Sequence, residues 1–370
     1  MTRLRIAVVG AGHLGSAHAR ILARSPAFDL VAIVDPDAAR RAALSAELGV
    51  PAESSVDALS GRIQAAVVAS PTTTHVEVAN SLLDQGVHLL IEKPLAADTT
   101  AARELTDSAR KRGLVLQVGH VERFNPAFVA AAPRLRQPKF IEATRAGGCT
   151  FRSTDIGVVL DLMIHDIDLV LALVRAPVEQ VEALGLSVLG GHEDVAHARL
   201  TFADGCVATL NAARVSYAPQ RWMRVWSPLG FASLDFAART ACVVTPSEAL
   251  VRREIEPTRL PGRERDAFRE SLFEQHLRLT DLEVEPRDQL TAELEDFAAS
   301  IQQGRSPRVT GEAASDAVEV AQRILAAIDE HAWDATATGR RGPFAQPAPQ
   351  VIPAPHWPLS PAHREQRRVG

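Results

Sequence analysis

The apolar residues of this chain first come as short, dense runs. Residues 4–9 (LRIAVV), 29–34 (DLVAIV), 65–69 (AAVVA), 87–91 (VHLLI) and 114–118 (LVLQV) are predominantly hydrophobic rather than alternating. Helical stretches lie between them, up to about Arg24, over 38–48, from Pro71-Thr-Thr-Thr-His75 to Gln85 and over 99–112. Buried strands alternating with helices predict a parallel sheet covered on both faces.

The rhythm changes after residue 120. Phe140 to Ala146 opens a second region, and Val159 to Val174 predicts a strongly apolar helix. Strand-like runs follow at 180–189, 194–203, 206–215, 222–227, 230–236 and 240–245, with Asp204-Gly205 as a hairpin turn. Two helices, 288–303 and 312–331, close the patterned part. The expected fold class is α/β: an N-terminal Rossmann doubly wound parallel sheet over 1–120, then an α+β domain with a large, mostly antiparallel sheet over 121–334. The tail 335–370 is proline-rich and unpatterned, and is expected to be extended or disordered.

Composition narrows the function. Hydrophobic residues at 46% and charged residues at 23% suit a globular chain with a full core, and 370 residues suit two domains. The net charge of -5 leaves no basic surplus for nucleic acid. No apolar run approaches the roughly 20 residues of a membrane span. Cys149, Cys206 and Cys242 are too scattered for a disulfide framework or zinc site, which fits the cytoplasm. Of 40 basic residues only Lys93, Lys111 and Lys139 are lysines, so a lysine in a distinctive place carries information.

The first strand runs into Gly10-Ala11-Gly12-His13-Leu14-Gly15, a G-x-G-x-x-G between strand and helix. Such a turn lets a pyrophosphate approach the backbone at a helix N-terminus. Asp35 ends the second strand at the spacing of the ribose-binding acid, which favours NAD over NADP because a carboxylate repels the extra phosphate. Arg40 and Arg41 follow closely, either as solvated helix charges or as ligands for that phosphate. The remaining candidate cofactor contacts are Ser70, Pro71, Thr72 and His75 after the third strand, and Glu92 and Lys93 after the fourth.

A buried strand delivering Glu92-Lys93-Pro94 to its carboxyl end places them at the crevice where such sheets bind ligands. Asp161, His165 and Asp168 fall at i, i+4 and i+7 on the apolar helix. Ionisable groups there must be paired or face a polar cavity. Arg123, Arg145 and Arg152 are candidates to hold a diphosphate.

VVGAGHLG at 8–15, EKP at 92–94, GHVERFNPAF at 119–128, D-x-x-x-H-x-x-D at 161–168 and the closing AELEDFAASIQQGRSPRVTGEAASDAVEVAQRI together resemble the glucose–fructose oxidoreductase / inositol dehydrogenase / MocA family. The resemblance covers about residues 3–331. It implies a dehydrogenase in which Lys93, Asp161 and His165 are catalytic, Asp168 orients His165, the Lys93–Pro94 bond is cis, and no metal is needed. GHVERFNPAF and the long apolar helix are similar to the nucleotide-sugar branch, which implies oxidation of the C3 hydroxyl of UDP-N-acetylglucosamine with Asn125 and Asp168 also near the sugar. A free sugar or polyol is the alternative substrate, and a non-catalytic NAD sensor the alternative class. The chain departs from the family's common Gly-Gly-Gly before the helix, with Gly147-Gly148 followed by Cys149. The resemblance also implies a homodimer or homotetramer through the second sheet, with Trp222 and Trp226 as anchors.

Overall fold

A computed structural model describes residues 3–149, 156–333 and 340–343. Arg152 and most of the tail lie outside the described residues.

The first sheet joins β1 (Leu4–Val9), β2 (Phe28–Val34), β3 (Ala52–Glu53), β4 (Ala65–Val68), β5 (His88–Glu92) and β6 (Leu116–Gly119) in the order β3-β2-β1-β4-β5-β6, all parallel. The order reverses at β1, and the carboxyl ends of β1 and β4 open there, as ligand crevices do in doubly wound sheets. The connecting helices are α1 (His13–Arg24), α2 (Ala38–Leu48), α3 (His75–Asp84) and α4 (Thr99–Lys111). They cover both faces, which is why Ile6, Ala7 and Val8 are all fully buried along one strand.

The second sheet comprises β7 (Phe140–Ala146), β8 (Val178–Leu186), β9 (Val195–Phe202), β10 (Val207–Ala213), β11 (Gln220–Ser227), β12 (Gly230–Asp235), β13 (Thr240–Pro246) and β14 (Leu277–Asp281). Its order is β14-β13-β12-β11-β7-β10-β9-β8, and only the β7–β10 pair is parallel. Asp204 and Gly205 do turn β9 into β10, with Gly205 in the left-handed region at φ 79°. The helices of this half are α5 (Pro126–Ala131), α6 (Ile164–Val174), the short α7 (Glu248–Val251), α8 (Gly262–Glu270), α9 (Gln289–Gln303) and α10 (Gly311–Glu330). One face of the sheet packs on α6 and α10 through Ile167, Val170, Val318 and Ile324. On the other face Trp226 stacks on Phe140 and meets Phe231 at a tilt, each with ring centroids 5.1 Å away, and the Arg224 guanidinium lies 4.7 Å from the Trp222 ring.

Three features differ from the sequence expectation. Helix α9 packs into the first core, where Leu294 and Phe297 meet Ile6, Leu22 and Phe28, although it follows the second domain in sequence. The helix expected from Val159 opens with a π-helical turn, Val159–Met163, before α6 begins. Part of the tail is ordered: Gly342 N donates to the His331 carbonyl, and Ser187 N donates to the Pro343 carbonyl at 2.9 Å.

Candidate active site

The glycine-rich turn is shaped by close approaches. Gly10 has φ 101°, and a Cβ there would lie 2.6 Å from the Ala69 carbonyl oxygen. A Cβ on Gly15 would lie 1.8 Å from the Gly10 oxygen, so helix α1 can sit this close only on glycine. The space beside Gly12, the N-cap of α1, is open, and no side chain caps the helix. Its first turn, with exposed His13 and Leu14, is thus free to receive an anion. Asp35 accepts Ala11 N at 2.7 Å and Asp37 N at 2.8 Å, one on each carboxylate oxygen. Each oxygen keeps a lone pair for a ribose hydroxyl. Arg40 makes an exposed ion pair with Asp37, and Arg41 donates to the Asp35 and Pro36 carbonyls. These residues fit a nicotinamide dinucleotide.

The second wall is the loop after β4. Ser70 and Thr74 share a hydroxyl hydrogen bond, and Pro71 and Thr72 enter a 3₁₀ turn. His75 is buried, with its ring nitrogens 2.9 Å from the Ser70 carbonyl and 3.0 Å from the Pro94 carbonyl. It ties this loop to the one bearing Lys93, acting through the backbone rather than as a surface contact.

The third wall carries the candidate reactive groups. The Lys93–Pro94 bond is cis. Lys93 Nζ crosses to the second domain and donates to Asp161 Oδ1 at 2.9 Å and to the Asp161 carbonyl at 2.7 Å. His165 follows one turn later, partly exposed. Burial first, then the charges of Lys93 and Arg145, push its pKa well below the usual histidine value, so it is a neutral base at pH 7. Lys93 after the first sheet's β5 thus meets Asp161 ahead of α6, and its charge reaches His165.

The neighbouring predictions fare differently. Asp168 does not reach His165. Arg123 holds it with Nε at 2.7 Å and Nη2 at 3.2 Å, a two-pronged, part-buried pair. Arg145 is equally committed, to Asp166 through Nε and Nη2 and to Glu122 through Nη1. Burial opposes its charge, but the two carboxylates outweigh that and raise its pKa. Arg145 is thus sealed between two acids, and Arg123 spends two of its guanidinium nitrogens on Asp168 of α6. Asn125 caps α5, and its amide donates to Glu122 and to the Phe236 carbonyl, so it fixes the loop instead of a sugar.

Sequence reasoning missed several residues. Arg221, exposed on β11, forms no ion pair among the described residues, yet its charge acts on His165 and Asp166. His120 stands beside His165 with ring centroids 6.2 Å apart. Behind Lys93, buried His18 Nε2 lies 2.7 Å from Glu92 Oε1. Burial pushes the Glu92 carboxyl up, but the His18 hydrogen bond and charge bring it below its ordinary value. Glu293 on α9 completes a cluster whose potential ligand atoms lie within 4.8 Å of one another. Burial, then the Glu92 charge, holds the Glu293 carboxyl well above its ordinary pKa. An ionisable residue among Ala292, Leu294 and Phe297 was the available signal; the test applied to 159–174 finds it too.

A dinucleotide turn facing a lysine, an aspartate and a neutral histidine defines an oxidoreductase that moves a hydride and a proton. The chain belongs to the GFO/IDH/MocA family: residues 4–120 match its "Oxidoreductase family, NAD-binding Rossmann fold" model and residues 127–231 its C-terminal domain. It is 35% identical over 334 residues to a UDP-N-acetylglucosamine 3-dehydrogenase of Acidithiobacillus ferrooxidans, covering 89% of this chain and 98% of that one. A solved structure of the enzyme of that name from the same organism matches with TM-score 0.77 over the same shares, at 34% identity. A scyllo-inositol 2-dehydrogenase (NAD(+)) of Bacillus subtilis is 28% identical over 58% of this chain and 68% of its own length. Among the described residues no helix is long and apolar enough to cross a membrane.

Proposed function

We propose that this protein is an NAD-dependent dehydrogenase that oxidises the C3 hydroxyl of UDP-N-acetylglucosamine to the ketone. The observation that carries the reading is the Lys93–Asp161 pair beside a neutral His165, on a chain alignable across nearly the whole of a dehydrogenase for that sugar. When bound, the nicotinamide supplies the hydride acceptor. His165 takes the hydroxyl proton, since burial leaves its ring uncharged. Lys93 donates a hydrogen bond to the same oxygen and stabilises developing alkoxide charge, while Asp161 holds the Lys93 ammonium in place.

Asp35 favours NAD over NADP because its two oxygens suit two hydroxyls and repel a phosphate. Arg221 is the cation best suited to the diphosphate, being exposed and uncommitted while Arg123 and Arg145 are paired. The tryptophan-bearing face of the second sheet is the expected subunit interface, giving a homodimer or homotetramer. With no nucleic acid or membrane partner implied, the protein would work in the cytoplasm on a soluble sugar nucleotide.

The test is purified protein with NAD and UDP-N-acetylglucosamine, free N-acetylglucosamine or an inositol, with NADH read at 340 nm under ketone trapping. NADH formation with the nucleotide sugar alone is expected. Turnover of a free polyol and not the nucleotide sugar would replace the substrate and leave the site standing.

A further inference from the structure

His120 has no role in the site as described so far. It directly follows β6, is fully buried at 0% exposure, and neither ring nitrogen has a hydrogen-bond partner among the described residues. Burial keeps the ring neutral, pushing its pKa down against the pull of the Asp168 charge. A neutral imidazole still carries one N–H and one lone pair. Leaving such buried groups unmet is costly.

His165 has the matching deficiency. Its Nδ1 is buried and unpartnered. The residue is partly exposed, so Nε2 is the nitrogen toward the crevice. A base that receives a proton at Nε2 must rest with its hydrogen on Nδ1, and that N–H needs an acceptor. The carboxylate expected to serve, Asp168, belongs to Arg123. The ring that does stand against His165 is His120, edge-on with an interplanar angle of 87° and a centroid separation of 6.2 Å.

We propose that His120 is the positioning residue for the catalytic base, a role that rests on His165 being that base. His120 accepts the His165 Nδ1 hydrogen, either directly on closer approach of the two rings or through one buried water. This holds His165 in the tautomer whose Nε2 is free for the sugar hydroxyl. When Nε2 takes that proton, the Nδ1–H bond becomes charge-assisted and stabilises the imidazolium. Nothing else moves: the proton leaves the alcohol oxygen, the hydride leaves its carbon, and the C=O bond forms.

The experiment reads the tautomer directly, by long-range ¹H–¹⁵N spectra of the full chain labelled at the histidine rings, with NAD and without sugar. His165 is assigned with His165→Gln. Wild type is expected to show His165 as the Nδ1–H form. His120→Phe, which keeps a ring and removes both nitrogens, should leave His165 averaging between forms. The same variant should lower kcat by about tenfold or more with little change in KM, as expected for loss of one hydrogen bond to a charged group. His120→Gln restores an acceptor and should recover part of that loss, which a purely structural role does not predict. His165 found as the Nε2–H form in wild type, or an unchanged tautomer in both variants, overturns the proposal. If His120→Phe does not fold, the wild-type and His120→Gln spectra decide. A protein that passes the tautomer test but ignores UDP-N-acetylglucosamine counts against the substrate alone.

Discussion

At the scale of single residues, burial and partners separate groups that look equivalent in sequence. Arg145 and Arg221 are directly paired positions on β7 and β11, yet one is sealed between two acids and the other is exposed. Arg145→Ala would strand Asp166 and Glu122 in the core, costing about 3–5 kcal/mol of stability and lowering the melting temperature. Arg221→Ala should leave the melting temperature unchanged and raise KM for the nucleotide sugar by about tenfold to a hundredfold, the scale of one lost charge-assisted bond. Calorimetry and initial rates on the two variants check this; a KM effect confined to Arg145→Ala would reverse the assignment. Asp35→Ala should weaken NAD and narrow its preference over NADP, measured by ligand-dependent thermal shifts. The candidate catalytic residues and the dinucleotide turn could be proposed from sequence because each is written in a short local motif. The commitments of Arg123, Arg145 and Asp168 were not, because they are set by which acid each side chain meets across the fold.

At the scale of elements, dense hydrophobic runs made the first sheet legible, and strand spacing with a DG turn marked most of the second. Missed were β3, two residues long, and β14, largely exposed and without an apolar run. The π-helical turn was hidden because its residues look helical; only the hydrogen bonding of Val159–Met163 reveals it. The docking of α9 on the first domain was hidden for another reason: an amphipathic helix does not encode which sheet it covers. That docking buries Glu293, which gives a pH prediction. Its folded pKa is raised above the unfolded value, so the native state binds more protons, and this group's contribution to stability declines as pH rises above about 4.5. Glu293→Gln removes the ionisation. Its stability relative to wild type should therefore improve between pH 5 and pH 8. Denaturant melts at both pH values measure the difference, and a gap that does not widen with pH would mean Glu293 is ionised in the native protein.

At the scale of the whole molecule, the proposed active site draws on both sheets: Lys93 follows the first sheet's β5, and Asp161 and His165 come from the helical segment covering the second. Helix α10 ties the halves together, since Thr106 of α4 hydrogen-bonds Ser315 while Ile328 packs at Gly185 of β8. The outer face of the second sheet is left with Trp222 and Trp226. Light scattering at micromolar concentration should find a dimer or tetramer, and Trp222→Glu with Trp226→Glu should dissociate it; a wild-type monomer would remove that interface. The central claim is hydride abstraction from the sugar by this inter-domain site. It is tested most directly with UDP-N-acetylglucosamine deuterated at C3, NAD and trapped ketone, following deuterium into the reduced cofactor by mass spectrometry. The account predicts one deuterium per NADH formed by wild type, and turnover lowered at least about a hundredfold in Lys93→Met and in His165→Ala. NADH without deuterium, or both variants transferring it at wild-type rates, would contradict it.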